Sequence, residues 1–121
     1  MTNKLAVDEQ VVAKIVAVLK ALAEPNRLQI LAMLMQHDSC NCELHDQLGL
    51  SPNLLSHHLR VLERAGLVSH QRDAMDARWI YYTADEAAIA GWQQWFSRFL
   101  NPARSQQSPA LLRPEGRQTV D

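Results

Sequence analysis

The chain has 121 residues, of which 47% are hydrophobic and 21% are charged, and this composition excludes a disordered protein and fits one globular domain. The formal net charge is −1, so nucleic-acid binding would need a local basic patch, or two copies of the chain adding their patches. The sequence shows neither a secretory leader pattern nor a membrane-length apolar run, so we expect a cytoplasmic protein without membrane contact.

The first half of the chain predicts four helices. Apolar residues recur at helical spacing over residues 7–22, and a proline then begins a second helix over residues 25–36. A third, shorter helix spans residues 41–48. After a glycine-containing turn, a second proline begins a fourth helix over residues 52–65, with Gly66 placed to end it.

The pattern then changes period. Residues 67–72 and 78–83 are short and rich in β-branched or aromatic side chains, which predicts a β-hairpin, and a last helix follows over residues 85–100. This order predicts a mainly α fold with a small β-hairpin, a winged helix-turn-helix, in residues 1–100. Residues 101–121 contain three prolines among polar residues and are expected to form a disordered tail.

The third and fourth helices form the expected DNA-reading unit. Leu55, Leu59 and Leu62 should face the core, and the opposite face of the fourth helix is polar. A polar face on an isolated helix is usually just solvated, but a following hairpin favours DNA contacts. His58 lies beside the core stripe and is interpreted as a structural histidine. The predicted DNA contacts are Ser51, Asn53, Ser56, His57 and Arg60, with Arg72 and Arg78 on the hairpin.

Cys40 and Cys42 are the only cysteines and lie where the third helix begins. A disulfide between cysteines two residues apart would be strained, so we expect free thiols or metal ligands. Since each helical residue advances about 100°, both sulfurs reach one ion only if the helix start is unwound or Cys40 lies in the preceding turn. Small buried hydrophobes and a thiol redox sensor are alternative interpretations.

The sequence resembles the ArsR/SmtB family of metal- and metalloid-sensing bacterial repressors over residues 19–100. The resemblance rests on five motifs in this order: Ala21–Arg27, Cys40–Leu44, Ser56–Leu62, Ala65–Val68 and Trp79–Tyr82. It implies a homodimer, formed mainly by the first and last helices, that binds a partly palindromic double-stranded operator. The expected dimer positions are Val11, Ile15, Trp92, Trp95, Phe96 and Phe99, although the aromatic ones are also compatible with a monomer core.

Similarity to the arsenite sensors of the family implies that Cys40 and Cys42 are ligands and that His45 occupies the third position. A small thiol or hydroxide are alternative third ligands. Arsenite or antimonite ranks first as inducer. Cadmium, lead and zinc rank lower, because residues 1–7 lack cysteine and histidine and the last helix offers Glu86 but no histidine.

The expected function is therefore a transcriptional repressor that leaves its operator when a thiophilic metalloid binds Cys40 and Cys42. A repressor of the same fold that responds to cadmium, lead, zinc or thiol oxidation is the alternative. An enzyme is not expected, because the sequence has no nucleophile–base pair, glycine-rich phosphate loop or catalytic metal motif. A winged-helix protein that only contacts other proteins is a third class, which the arginine on the polar face disfavours.

Overall fold

The structure is a computed structural model that describes residues 8–103. Residues 1–7 and most of the tail predicted for residues 101–121 lie outside this range. The elements are α1 (Glu9–Leu22), α2 (Pro25–Gln36), β1 (Ser39–Cys40), α3 (Asn41–Leu48), α4 (Pro52–Arg64), β2 (Val68–Arg72), β3 (Ile80–Ala84) and α5 (Glu86–Phe99).

The winged helix-turn-helix predicted from the sequence is confirmed, with one addition. The short strand β1 was not predicted; it joins the hairpin in an antiparallel sheet of order β1-β3-β2. Cys40 pairs with Tyr81, and Val68 pairs with Ala84 at the base of the hairpin. The sheet therefore ties the wing directly to the chain segment that enters α3.

Local side-chain chemistry explains where α3 and α4 begin and end. The Ser51 hydroxyl accepts the Leu54 N–H at 3.2 Å, which caps the start of α4. Gly49 ends α3 with φ +68°, and Gly66 follows α4 with φ +79°. Both are left-handed conformations that favour glycine. These two glycines set the turn of the DNA-reading unit and the return of the chain into the wing.

The hydrophobic core joins α1, α2, α3 and α4 with the base of the sheet. Leu55, Leu59 and Leu62 are buried, as their spacing predicted. In α2 the core side chains are Ile30 and Leu34. Leu28 and Met35 on the same helix are about half exposed. The core thus fixes the inner face of α4 and leaves its outer face available.

Beyond Ile89 the chain forms a second compact unit, which contains most of α5. None of the α5 side chains is buried. Its aromatic rings form a row, with ring centroids 5.1 Å apart for Trp95 and Phe96 and 4.6 Å apart for Trp95 and Phe99. Across residues 8–103, each helix is too short or too polar to cross a membrane.

Candidate nucleic-acid interface and thiol site

The outer face of α4 carries the side chains expected to read DNA. Asn53, Ser56, His57 and Arg60 are all exposed, while the leucines on the opposite face are buried. An amide, a hydroxyl, an imidazole and a guanidinium supply both donors and acceptors for base edges and phosphates. At the start of α4, Pro52 has no N–H, and the Leu54 and Leu55 N–H groups bond to Ser51. The Asn53 N–H is the first-turn backbone donor that a phosphate can accept.

A buried polar cluster holds the inner face of α4 against α2. His58 is only 5% exposed, and the Arg27 guanidinium donates to its Nδ1 at 3.1 Å. Arg27 also donates to the Ala21 carbonyl at 2.7 Å, at the end of α1. Because arginine is only a donor, His58 Nδ1 must accept, and a neutral imidazole then carries its proton on Nε2.

The same surroundings shift the pKa of His58. Its Nε2 lies 4.0 Å from the Glu24 carboxylate. Burial lowers the pKa of His58 below its ordinary value of 6.5; Glu24 opposes this shift, while Arg27 and His57 add to it. The interpretation of His58 as a structural histidine agrees with its burial and its bond to Arg27.

The two arginines of the wing both have partners within the hairpin. Arg78 donates to the Asp76 carboxylate through Nε at 3.0 Å and through a terminal nitrogen at 2.8 Å. These bonds hold the pKa of Asp76 below its ordinary range. Arg72 donates to the Ala77 carbonyl at 2.5 Å. A phosphate can bind these arginines only by sharing or replacing their present partners. An exposed ion pair contributes only about 0.2–1 kcal/mol, so this exchange costs little free energy.

The cysteines correct one expectation from the sequence. Cys40 and Cys42 are joined by a disulfide, with Cα atoms 5.2 Å apart, whereas their separation of two residues had suggested that no bridge forms. The physical reason lies in the backbone of Cys40, which is extended, with φ −82° and ψ 163°. Cys40 therefore precedes the helical turn instead of belonging to it, and both sulfurs point to one side.

Cys40 also caps α3. Its Sγ accepts the Glu43 N–H at 3.2 Å, and the Glu43 carboxylate accepts the Cys40 N–H at 3.2 Å. This reciprocal arrangement is a capping box with sulfur in the place of a hydroxyl. A chemical change at Cys40 therefore acts directly on the first turn of the DNA-reading unit.

Asn41, between the cysteines, connects this site to the wing. Its carbonyl oxygen accepts the Ile80 N–H at 3.3 Å, and its amide donates to the Arg78 carbonyl at 3.5 Å. Reasoning from the sequence did not single out Asn41 as functional. The available signal was an asparagine at the first position of a helix. That position alone does not reveal a hydrogen-bond partner 39 residues away in the sequence.

His45, the predicted third ligand, is exposed, and its Nδ1 bonds to the Leu50 carbonyl at 2.6 Å. His45 and Cys42 line one cavity of about 270 Å³ between α3, α4 and β3, together with the α4 side chains Leu55 and Ser56. Among residues 8–103, however, no three histidine, cysteine, aspartate or glutamate side chains converge in a metal-binding arrangement. The structure brings the two sulfurs together and places His45 near one of them.

The predicted dimer positions differ in exposure. Ile15 is 8% exposed within the single chain, which leaves little of its side chain for a partner. The reason is rotational: a shift of one residue turns a helix by about 100°. The apolar stripe that α1 leaves exposed is Val12, Val16 and Leu19. Val11 is half-buried, as are Trp92, Trp95 and Phe96, and Phe99 is exposed.

Comparison with known proteins identifies the family. The model of bacterial regulatory proteins of the arsR family matches residues 24–70. The transcriptional activator HlyU of Vibrio cholerae is 40% identical over 77 residues, which cover 64% of this chain and 68% of HlyU. The chain belongs to the arsR family. Its arsR-family relatives are DNA-binding transcriptional regulators and not enzymes, as the sequence predicted.

Other arsR-family relatives cover most of the chain. The HTH-type transcriptional regulator NmtR of Mycobacterium tuberculosis is 30% identical over 103 residues, or 85% of this chain and 86% of NmtR. The structure of Vibrio cholerae HlyU has a TM-score of 0.62 and 36% identity, and covers 76% of this chain and 97% of that one. A structure of reduced HlyU gives a TM-score of 0.60 at 36% identity, covering 75% and 93%.

A third solved structure is described as a possible transcriptional regulator for arsenical resistance. It has 31% identity and a TM-score of 0.57, and covers 66% of this chain and 80% of that one. The similarity to these regulators thus extends over most of the described residues. They do not assign an inducer to Cys40 and Cys42.

Proposed function

We propose that this protein is a repressor that binds double-stranded operator DNA and leaves it when arsenite or antimonite binds the thiolates of Cys40 and Cys42. The observation that carries the proposal is the convergence of the two sulfurs at the start of α3. This point joins the DNA-reading unit to the wing through the Cys40 cap and the Asn41 bonds.

In this proposal, α4 lies in the major groove. Asn53, Ser56, His57 and Arg60 reach base edges or phosphates from its exposed face. Arg72 and Arg78 on the wing contact phosphates after releasing their hairpin partners. These phosphate contacts make the operator affinity depend on salt concentration more than on DNA sequence.

The chain acts as a homodimer, which places two α4 helices on the two halves of a palindromic operator. Two apolar surfaces support this: the exposed stripe of Val12, Val16 and Leu19 on α1, and the aromatic row of α5. Sedimentation of the wild type and a Val16→Glu variant tests the α1 surface. We expect the variant to dissociate at concentrations where the wild type is dimeric.

The donor set fits a thiophilic inducer in part. Reduced, the two cysteines supply two sulfur ligands on one side of the chain, which suits a soft centre such as trivalent arsenic. In the disulfide the Cys40 sulfur lies at a helix start and accepts the Glu43 N–H. His45 lies beside Cys42 and is the third ligand that we propose, after it exchanges its bond to Leu50. Zinc and cadmium rank lower because the set lacks further ligands.

A second candidate is a repressor controlled by thiol oxidation. The Cys40–Cys42 disulfide is the specific observation that favours it. HlyU, a similar regulator, has been solved in a form described as reduced. The two candidates share one site and differ in the chemistry that reaches it: the metalloid needs both thiolates free, whereas oxidation joins them.

Either event changes the same mechanical connection. The Cys40 cap and the Asn41 bonds are those of the disulfide form. Opening of the disulfide, or capture of the freed sulfurs by one centre, changes the geometry at Cys40 from which both sets of contacts start. A coupling free energy of about 1–3 kcal/mol between the thiol site and DNA lowers operator affinity by about 5- to 150-fold. The position of Cys40 and Cys42 at the entrance to the helix-turn-helix supports this coupling.

Fluorescence anisotropy on the DNA upstream of the protein's own gene tests the function. Arsenite, cadmium, zinc and the thiol oxidant diamide are titrated into the reduced protein–DNA complex. We expect arsenite to release the wild type and to leave the Cys40→Ser and Cys42→Ser variants bound. Release by diamide alone would favour the redox candidate. Release of both variants by arsenite would show that the site is wrong.

A further inference from the structure

The two sulfurs differ sharply in their surroundings. Cys40 is 6% exposed and its Sγ accepts the Glu43 N–H. Cys42 is half-buried, more exposed than Cys40, and lines an open cavity of about 280 Å³, whose other lining residues are Asn41, Arg78 and Trp79. An external thiolate approaching the disulfide therefore meets the Cys42 sulfur first.

The positive charge of Arg78 in the cavity wall favours anionic thiols over uncharged ones. Arg78 binds Asp76 through two of its three nitrogens, and a guanidinium carries five N–H donors, so it can accept a second anion. Its side chain is 86% exposed, which leaves the group reachable from the cavity. Trp79 supplies a flat apolar wall for the carbon chain of the thiol.

We infer that Cys42 and the Arg78–Trp79 cavity form a site for an anionic low-molecular-weight thiol, held as a mixed disulfide on Cys42. The thiolate attacks the Cys42 sulfur, the bond between Cys40 and Cys42 breaks, and a new bond joins Cys42 to the thiol. The electron pair leaves on Cys40, as a thiolate that accepts the Glu43 N–H at the helix start. The proton of the thiol goes to solvent, and no oxidant is consumed.

The inference rests on the proposed function in one respect, since the consequence for regulation follows from DNA binding. A carboxylate bound at Arg78 occupies the charge that the wing would offer to a phosphate. Addition of an anionic thiol would then lower operator affinity by a route that an uncharged thiol does not use.

The first test locates the reactive sulfur and needs no DNA. The oxidised wild type is exposed briefly to reduced glutathione, quenched with N-ethylmaleimide, and mapped by peptide mass spectrometry. We expect glutathione on Cys42 and the maleimide on Cys40. Glutathione on Cys40, or an even distribution over both sulfurs, would overturn the assignment.

The second test uses Cys40→Ser, in which serine keeps a capping oxygen for α3 and Cys42 is a single thiol. Its rates of reaction with glutathione disulfide and with uncharged 2-hydroxyethyl disulfide give a ratio that measures anion preference. We expect Arg78→Gln in this background to lower the ratio by about two- to fivefold, the range of an exposed ion pair. We expect Arg72→Gln, the matched control outside the cavity, to leave the ratio unchanged.

Asp76→Asn in the Cys40→Ser background should change the ratio of the two rates in the opposite direction. Removing the carboxylate that now binds Arg78 should raise the preference for glutathione disulfide over the uncharged probe. An unchanged ratio in both Arg78→Gln and Asp76→Asn would overturn the anionic site. Since all these rates are measured without DNA, they stand or fall independently of operator release.

Discussion

The recognition helix α4 and the wing are held in different ways. The inner face of α4 is fixed by buried leucines and by the His58–Arg27 cluster, so the polar side chains outside it are carried on a rigid element. The wing is a two-stranded hairpin whose arginines bond within the hairpin itself. Its inner strand is fastened by β1 and by the Asn41 side chain.

This contrast indicates where a signal from the cysteines goes. Every hydrogen bond that Asn41 makes through its side chain runs to the wing. Moving α4 or the base of the sheet would require repacking of the hydrophobic core, whereas moving the outer part of the wing requires only a few hydrogen bonds to change. We therefore expect the thiol site to control the wing first and α4 second.

The largest effect should come from the inner face of α4. Leu59→Ala removes a fully buried side chain, and we expect a loss of about 2–5 kcal/mol in the free energy of unfolding. Urea denaturation measures it. Ser56→Ala on the outer face is the control and should change stability by about 0.5 kcal/mol or less. Equal losses for the two variants would contradict the division of α4 into a core face and a DNA face.

The next effect separates the two DNA-contacting regions. Arg60→Ala should weaken operator binding by about 1–3 kcal/mol if the guanidinium reads a base edge. Arg78→Ala should have a smaller effect, because Arg78 must first share its bonds with Asp76. Anisotropy titrations at several salt concentrations compare them. A greater loss for Arg78→Ala would reverse the ranking of α4 over the wing.

Removing the Asn41 side chain should uncouple the wing from the cysteines. Asn41→Ala loses two hydrogen bonds, and a net contribution of about 0.5–1.5 kcal/mol each predicts only a modest loss of stability. The variant should still bind operator but respond less to arsenite. Asn53→Ala, which lies on the DNA face, is the matched control. It should weaken DNA binding while keeping the arsenite response.

Mild acid should give the smallest effect, through His58. Its pKa is lowered in the folded protein, so the unfolded chain binds the proton more readily. Stability should therefore be full above the ordinary value of 6.5 and fall as pH drops below it toward the lowered folded value. Chemical denaturation across this range in the wild type and His58→Gln measures the effect. The variant should lose this part of the pH dependence.

Much of the fold could be predicted because its elements have strong local signals. Prolines begin α2 and α4, Gly49 and Gly66 end α3 and α4, and the leucines of α4 repeat at helical spacing. Strand β1 was missed because two residues are too few to show a period. The burial of Ile15 within the single chain was not predicted, because spacing alone does not tell which side of α1 the core covers.

The thiol site was only partly predictable. Cys40 and Cys42 were identified, and the sequence indicated that their sulfurs meet only if the helix start is unwound or Cys40 lies in the preceding turn. In the structure Cys40 precedes the helix. The disulfide and the bonds of Asn41 were not predicted, because both depend on tertiary placement. The extended backbone of Cys40 and the approach of the wing bring these groups together.

Hydrogen exchange at the wing tests the central claim most directly. The Ile80 N–H is bonded to the Asn41 side chain, whereas the amides around Leu59 lie within α4. We expect arsenite binding to the reduced protein to speed exchange at Ile80 and its neighbours in β3, with little change around Leu59, and to do neither in Cys42→Ser. Faster exchange in α4 with an unchanged wing would contradict control of the wing by the cysteines.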